Sequence, residues 1–183
     1  MRPPLIAFAV LVFAALVFLR WQGRVWWCGQ GDWAPVSLHV NSPHNSQHLF
    51  DPYTLSHVLH GVLFFGVAWI FSDRFNLPWR FLFAAVVEIA WEMAENSPLV
   101  IDRYRNATVS LGYTGDSIVN SIGDIAGFAG GFFLARAVGL WWSIGITVVI
   151  ELGMLWLIRD NLTLNVLMLV WPIDAVRRWQ SGG

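Results

Sequence analysis

The chain has 183 residues, 56% of them hydrophobic and only 13% charged, with a mean hydropathy of +0.55. Soluble domains carry about 25% charged residues, so the composition excludes an ordinary soluble fold and implies one integral membrane domain over 1–183. A net charge of −1 gives no electrostatic footprint for nucleic acid or any other polyanion.

Taken in chain order, five segments are long and apolar enough to span a bilayer, which takes about 20 residues at 1.5 Å each. The first is 3–19, an uncleaved span and not a signal peptide, because Trp and Arg follow it where a small-residue cleavage site would stand. The loop that follows holds the lone Cys28. A single cysteine rules out an internal disulfide or a multi-cysteine metal centre, and beside Trp26 and Trp27 it reads as an interfacial thiol. His39, His44 and His48, in a stretch rich in Asn and Ser, read as solvated loop residues.

The second span is 53–72 and the third 78–96, closed by Ser97-Pro98 because the residue before proline avoids helix. The fourth is 117–135 and the fifth 140–158. The apolar stretch after it is too short to cross, and 162–179 reads as interfacial. The expected fold is all-α: a membrane helical bundle of about five transmembrane helices plus a short interfacial C-terminal segment. The twelve Trp suit anchoring at the headgroup level.

Five crossings put both long connections, 20–52 and 97–116, and the C-terminal tail on one side. Arg20, Arg24, Arg103, Arg105, Arg159, Arg177 and Arg178 lie there, against Arg2, Arg74, Arg80 and Arg136 on the other. The positive-inside rule then favours a cytoplasmic long-loop side.

Ionisable residues within spans cost free energy and mark function. Glu88, Glu92, Glu95, Asp124 and Glu151 are such residues. Measured from the long-loop side, His57 lies about 6 Å deep, His60 about 10 Å, Glu92 about 6 Å, Glu88 about 12 Å, Asn120 about 6 Å and Asp124 about 12 Å. At 100° per residue, Glu88, Glu92 and Glu95 share one helix face. Asp116, Asn120 and Asp124 share a stripe with Gly123, Gly127 and Gly131, where small residues let a neighbouring helix approach. His57 and His60 are neighbours at i and i+3. The helices should therefore bring their polar groups into one pocket near one leaflet.

Two histidines cannot neutralise five acids, so protons, arginines or a bound cation must supply the balance. His57, His60 and Glu92 form a candidate ligand set for a divalent transition metal such as Zn, Mn or Fe. Glu88, Glu92, Asp124 and Asn120 are the candidate catalytic residues. Arg103 and Arg105, with Asp116 at the rim, are candidates for holding a headgroup, since guanidinium grips phosphate in a fork. Asp116 also suits an N-cap. Glu151 stands two turns before Arg159 and has no assigned role.

The segments Ser56-His57-Val58-Leu59-His60-Gly61, Glu88-x-x-Trp91-Glu92-x-x-Glu95-Asn96 and Gly115-Asp116-Ser117-x-x-Asn120-Ser121-x-Gly123-Asp124 resemble an uncharacterised family of alphaproteobacterial multi-pass inner-membrane proteins. The resemblance implies a location in the bacterial inner membrane. More distantly, Asp116-x3-Asn120-x2-Gly123-x3-Gly127 after a histidine in the second span resembles the VanZ-like membrane proteins over about half the chain.

Three functions stay open on the residues themselves. The first is a membrane-embedded hydrolase or transferase, metal-dependent or not, acting on a membrane lipid or lipid-linked headgroup. The second is a proton- or cation-coupled transporter, for which a second copy of the chain could supply the missing half of a path. The third is a non-catalytic assembly or lipid-binding protein.

Overall fold

Small polar residues and prolines set the helix starts. Asn76 accepts a hydrogen bond from the Trp79 N–H, Ser97 from Val100, Ser117 from Asn120 and Asn161 from Leu164, each satisfying an N–H that has no intrahelical partner. The computed structural model describes residues 3–108 and 112–182; Arg2, one of the arginines that bear on orientation, lies outside them. The helices are α1 (Pro3–Trp21), α2 (Thr54–Trp69), α3 (Leu77–Glu95), α4 (Pro98–Ala107), α5 (Ile118–Val138), α6 (Leu140–Ile158), α7 (Leu162–Val170) and α8 (Asp174–Gln180). Among the described residues the only β pairing is a single parallel bridge between Val36 and Phe50. The chain is an all-α bundle.

By length and composition α1, α5 and α6 can cross a membrane. α2 has 16 residues, about 24 Å of helix, and hydrogen-bonded turns carry it on toward Arg74. α3 has the length of a span, yet it carries Arg80 near one end and Glu88, Glu92 and Glu95 toward the other. α6 buries only Ser143 and Met154, leaving Val149, Leu152 and Trp156 exposed; α1 likewise exposes Val10, Phe13 and Val17. Apolar faces left uncovered on such helices suit a lipid environment.

The closest helix pair is α2 with α5. Gly61 faces the Phe128 carbonyl, and Gly131 faces the Val58 carbonyl so closely that a Cβ on either would overlap backbone. Gly127 sits against Thr54, where a Cβ would come within 3.0 Å of its methyl group. The glycine stripe thus draws the two backbones together as expected, except that Gly123 meets the Leu49 carbonyl of the preceding loop and not a helix. At the end of the bundle away from the acids, Phe81, Phe128 and Phe132 form an aromatic core joined by Phe8, Phe64 and Phe65.

The long connections are more structured than loops. Connection 97–116 contains α4, since Ser97 caps it and Pro98 suits a first helical turn. α7 does more than lie at an interface: it packs on α4, with Tyr104 donating to Asn165 Oδ1 at 3.0 Å. Residues 44–51 form a strap along the start of α5. Ser117 N donates to Ser46 O (2.9 Å) and Asn120 Nδ2 to His48 O (2.8 Å).

Candidate active site

Helical spacing explains how the cluster assembles. His57 and His60 stand one turn apart on α2, and Glu88 and Glu92 one turn apart on α3, so a two-by-two contact forms where the helices meet. His57 Nδ1 donates to Glu88 Oε1 at 2.6 Å, and His60 Nδ1 donates to Glu88 Oε2 at 3.0 Å. His57 Nδ1 also lies 3.3 Å from Glu92 Oε1, and its Nε2 lies 3.9 Å from Asp124 Oδ2 on α5. Glu88 and Glu92 are fully buried.

Satisfaction is uneven. Glu88 is held by two imidazoles, whereas neither oxygen of buried Glu92 has a hydrogen-bond partner, and the same is true of Asp124 Oδ1 and the Ser121 hydroxyl. Buried carboxylates without partners are costly, which makes these the atoms with hydrogen-bonding capacity left for a ligand. A cavity of about 60 Å³ opens beside Asp124, with Glu88, Glu92 and Ser121 behind its wall, room for a few waters or a small polar fragment. Its wall includes Ser56, His57, His60, Glu95, Asp116 and Asp124. All three tyrosines of the chain, Tyr53, Tyr104 and Tyr113, line it too.

The rim is a second polar layer. Asp116 is not the N-cap of α5; Ser117 is. Asp116 accepts from Asn96 Nδ2 (2.8 Å) and the Tyr113 hydroxyl (2.9 Å), and its N–H donates to Asn96 Oδ1 at 2.7 Å. Burial raises the Asp116 carboxyl above its usual range, while the Asn96 and Tyr113 hydrogen bonds partly offset this. Burial, then the nearby carboxylates, pushes the Tyr104 and Tyr113 phenols well up. Asp51 Oδ1 accepts from Tyr53 N (2.8 Å) and Thr54 N (3.1 Å), and Oδ2 from Ser46 N at 3.1 Å. Burial, followed by the charge of Asp116, raises Asp51 to about 6.

The residues singled out from the sequence divide into two groups. His57, His60, Glu88, Glu92 and Asp124 converge, with Asp116 at the rim. Asn120 spends its amide on the His48 carbonyl. Arg103 and Arg105 are outside the cavity wall: Arg103 Nε donates to Leu169 O (2.8 Å) and Arg105 Nε to Tyr113 O (2.6 Å). Glu151 turns away to cap α7, accepting from Leu162 N (3.0 Å) and Thr163 N (3.2 Å).

The metal-ligand geometry also regroups. Donor atoms of His57, His60 and Glu88 lie within 4.8 Å of one another, as do those of His57, Glu92 and Glu95. His60 and Glu92 do not fall in one set, because Glu88 stands one turn closer to His60. Sequence reasoning missed Asp51, Asn96 and the tyrosines. Asp51-Pro52-x-Thr54 was a readable turn-and-cap signal; the tyrosines carried only their scarcity among many Trp and Phe.

Residues 19–182 match the family model described as a protein of unknown function, DUF2585, and the chain belongs to that family. It is 48% identical over 173 residues to a UPF0314 protein of Agrobacterium fabrum, covering 94% of this chain and 87% of the relative. A UPF0314 protein of Sinorhizobium fredii is 49% identical over 181 residues, covering 97% and 90%. Another, of Paracoccus denitrificans, is 46% identical over 174 residues, covering 95% and 90%. No solved structure matches.

Proposed function

We propose that this protein is a membrane-embedded hydrolase or transferase acting on the headgroup of a membrane lipid or lipid-linked substrate. It sits in the bacterial inner membrane, with its cavity on the cytoplasmic side. One observation carries the reading: an imidazole held by a buried carboxylate faces a polar cavity whose wall includes Asp124, one of whose oxygens has no hydrogen bond. His57 bonded through Nδ1 to Glu88 is a general base with its orienting group, the Nε2 turned toward Asp124 and the space where a hydroxyl or water would be deprotonated. Glu88 stabilises the imidazolium that forms. Asp124, in the cavity wall, accepts hydrogen bonds from substrate hydroxyl or amino groups, and Glu92, behind the wall and 3.3 Å from His57, adds its charge to that of Glu88 in stabilising the imidazolium.

The cavity wall carries acids and no arginine among the described residues, so the polar group admitted is neutral or cationic. An anionic headgroup would need a divalent cation, for which His57, His60 and Glu88 supply a donor set of two imidazoles and one carboxylate, suited to Zn, Mn or Fe. Such an ion would polarise the substrate or activate water. A transport path is not favoured, since Phe64 stacks on His60 (centroids 5.7 Å apart) and the aromatic core continues beyond it.

The test compares the membrane lipids of a deletion strain complemented with wild type, Glu92→Gln or His57→Gln. Restored lipid composition with wild type alone supports the reading. Equal restoration by all three, with the variants present at wild-type levels, overturns it.

A further inference from the structure

A second cluster of donor atoms lies in the α1–α2 connection and shares no residue with the buried site. Cys28, expected as an interfacial thiol, is buried, and His48, expected as a solvated loop residue, has no exposed surface, while His44 beside it is partly exposed. Cys28 Sγ lies 3.4 Å from His44 Nδ1, which lies 3.2 Å from His48 Nε2. Asp32 Oδ2 stands 3.7 Å from the first imidazole nitrogen and 3.8 Å from the second. From the geometry we infer that Cys28, His44, His48 and Asp32 form a zinc-class divalent cation site that clamps the strap over the start of α5.

Spacing, donor type and support all fit. Tetrahedral zinc, with Zn–N of about 2.0–2.1 Å and Zn–S of about 2.3 Å, requires N···N edges of about 3.4 Å and S···N edges of about 3.6 Å. The Cys28–His44 and His44–His48 separations are close to these before any ion draws the ligands in, and Asp32, 3.7 and 3.8 Å from the two imidazole nitrogens, would complete the set by closing in a few tenths of an ångström. A thiolate with two imidazoles is a soft-to-borderline set, which selects against magnesium and calcium. The orientation of His48 is already fixed: its Nδ1 donates to Ala34 O at 2.6 Å, so the Nε2 lone pair is the one presented to the cluster, the outer-sphere arrangement of a metal-binding histidine. Asp32 is positioned in the same way. Its Oδ1 accepts from Ala34 N (2.9 Å) and its carbonyl from the Trp27 indole (2.7 Å), leaving Oδ2 to face the cluster.

The site has a consequence for the cavity. His48 passes its own carbonyl to Asn120, and the neighbouring Gln47 carbonyl accepts from the Ser117 hydroxyl at 3.1 Å. An ion bound by His44 and His48 would therefore hold residues 44–48 onto α5 one turn from Asp124. The role assigned is structural: the ion would position the strap, including Asn45 and Ser46 of the cavity wall, and ligate no residue of the buried site.

The experiment uses the full chain in detergent, stripped with a chelator and titrated with Co²⁺ alone, then with Zn²⁺ in competition. Because the chain has one cysteine, and the buried His57–His60–Glu88 cluster has no sulfur, a thiolate-to-cobalt charge-transfer band reports this site only. The expected result is such a band, bleached by zinc and absent from Cys28→Ser. His48→Ala should weaken zinc binding by more than about 100-fold, beyond the loss typical of an outer-sphere change. Thermal stability should rise with zinc in wild type. Cobalt uptake without a thiolate band, no uptake at all, or a band indifferent to His44→Ala and His48→Ala would each overturn the site. Should Cys28→Ser fail to fold, the wild-type spectrum decides alone.

Discussion

Glu88 and Glu92 stand one turn apart on the same face of α3, both without exposed surface, and only one of them is satisfied: Glu88 accepts from two imidazoles, while Glu92 has no hydrogen-bond partner. Two acids of equal burial therefore have different energetic roles. The first anchors α2 to α3. The second has only the 3.3 Å approach of His57 to offset its burial.

That contrast gives the sharpest prediction. Glu88→Gln leaves two imidazoles without their shared charged acceptor, and breaking a buried ionic contact costs about 3–5 kcal/mol. Glu92→Gln has no hydrogen bond to lose, only the 3.3 Å approach of His57, so it should destabilise clearly less than Glu88→Gln. Both should abolish the ability to restore lipid composition. Thermal unfolding in detergent, read beside the complementation assay, checks the split; equal destabilisation by the two variants would contradict it.

Much of this cluster was legible beforehand because helical arithmetic is rigid. Residues at i, i+3 and i+4 share a face whatever the tertiary fold, and acids in apolar segments must find polar company. The same logic could not say which imidazole meets which carboxylate, since that depends on how far α2 slides along α3. It was silent on the connections, where no periodicity operates. Cys28, His44 and His48 are brought together by turns, and Arg103 and Arg105 are drawn to carbonyls that exist only once α7 and the segment before α5 are in place. Polar loop composition looked like solvation; backbone accounting made it structure.

The α2–α5 contact is the next test. A Cβ at Gly131 would overlap the Val58 carbonyl, a rigid backbone neighbour. Gly131→Ala should therefore push the helices apart, destabilise by about 1–3 kcal/mol as overpacking does, and move His57 away from Asp124. Gly66, also in α2, has nothing within 4 Å of an added Cβ, so Gly66→Ala should be neutral or stabilising by about 0.5–1 kcal/mol. Unfolding midpoints of the two variants should move in opposite directions or differ clearly in size.

Acidity should matter in the connections as well. Burial first, then the neighbouring Asp116, raises Asp51 from its ordinary 3.8 to about 6. Between those values the folded chain holds a proton that the unfolded chain has released, so this group's contribution to stability falls as pH rises from about 4 to about 6 and levels off above. Asp51→Asn removes the titration but keeps a side-chain oxygen for the Tyr53 and Thr54 N–H groups. The difference between wild-type and variant midpoints should change across that window and be constant above it; a flat difference from pH 4 to 6 would contradict the assignment.

α7 closes one wall of the cavity and is held at both ends by opposite charges. Glu151 accepts from the first-turn N–H groups of Leu162 and Thr163, while Arg103 donates to the last-turn carbonyls of Leu169 and Val170. An acid at the N-terminus and a base at the C-terminus each complement the helix dipole. A nine-residue helix is marginal without such support. Glu151→Ala and Arg103→Ala should each cost about 1 kcal/mol and speed amide exchange in 162–170 while the amides of α5 keep their protection. Because the two residues sit at opposite ends of one short helix, the double variant should lose more than the sum of the singles. Unchanged exchange in α7 would mean that packing on α4, and not its charged ends, holds that wall in place.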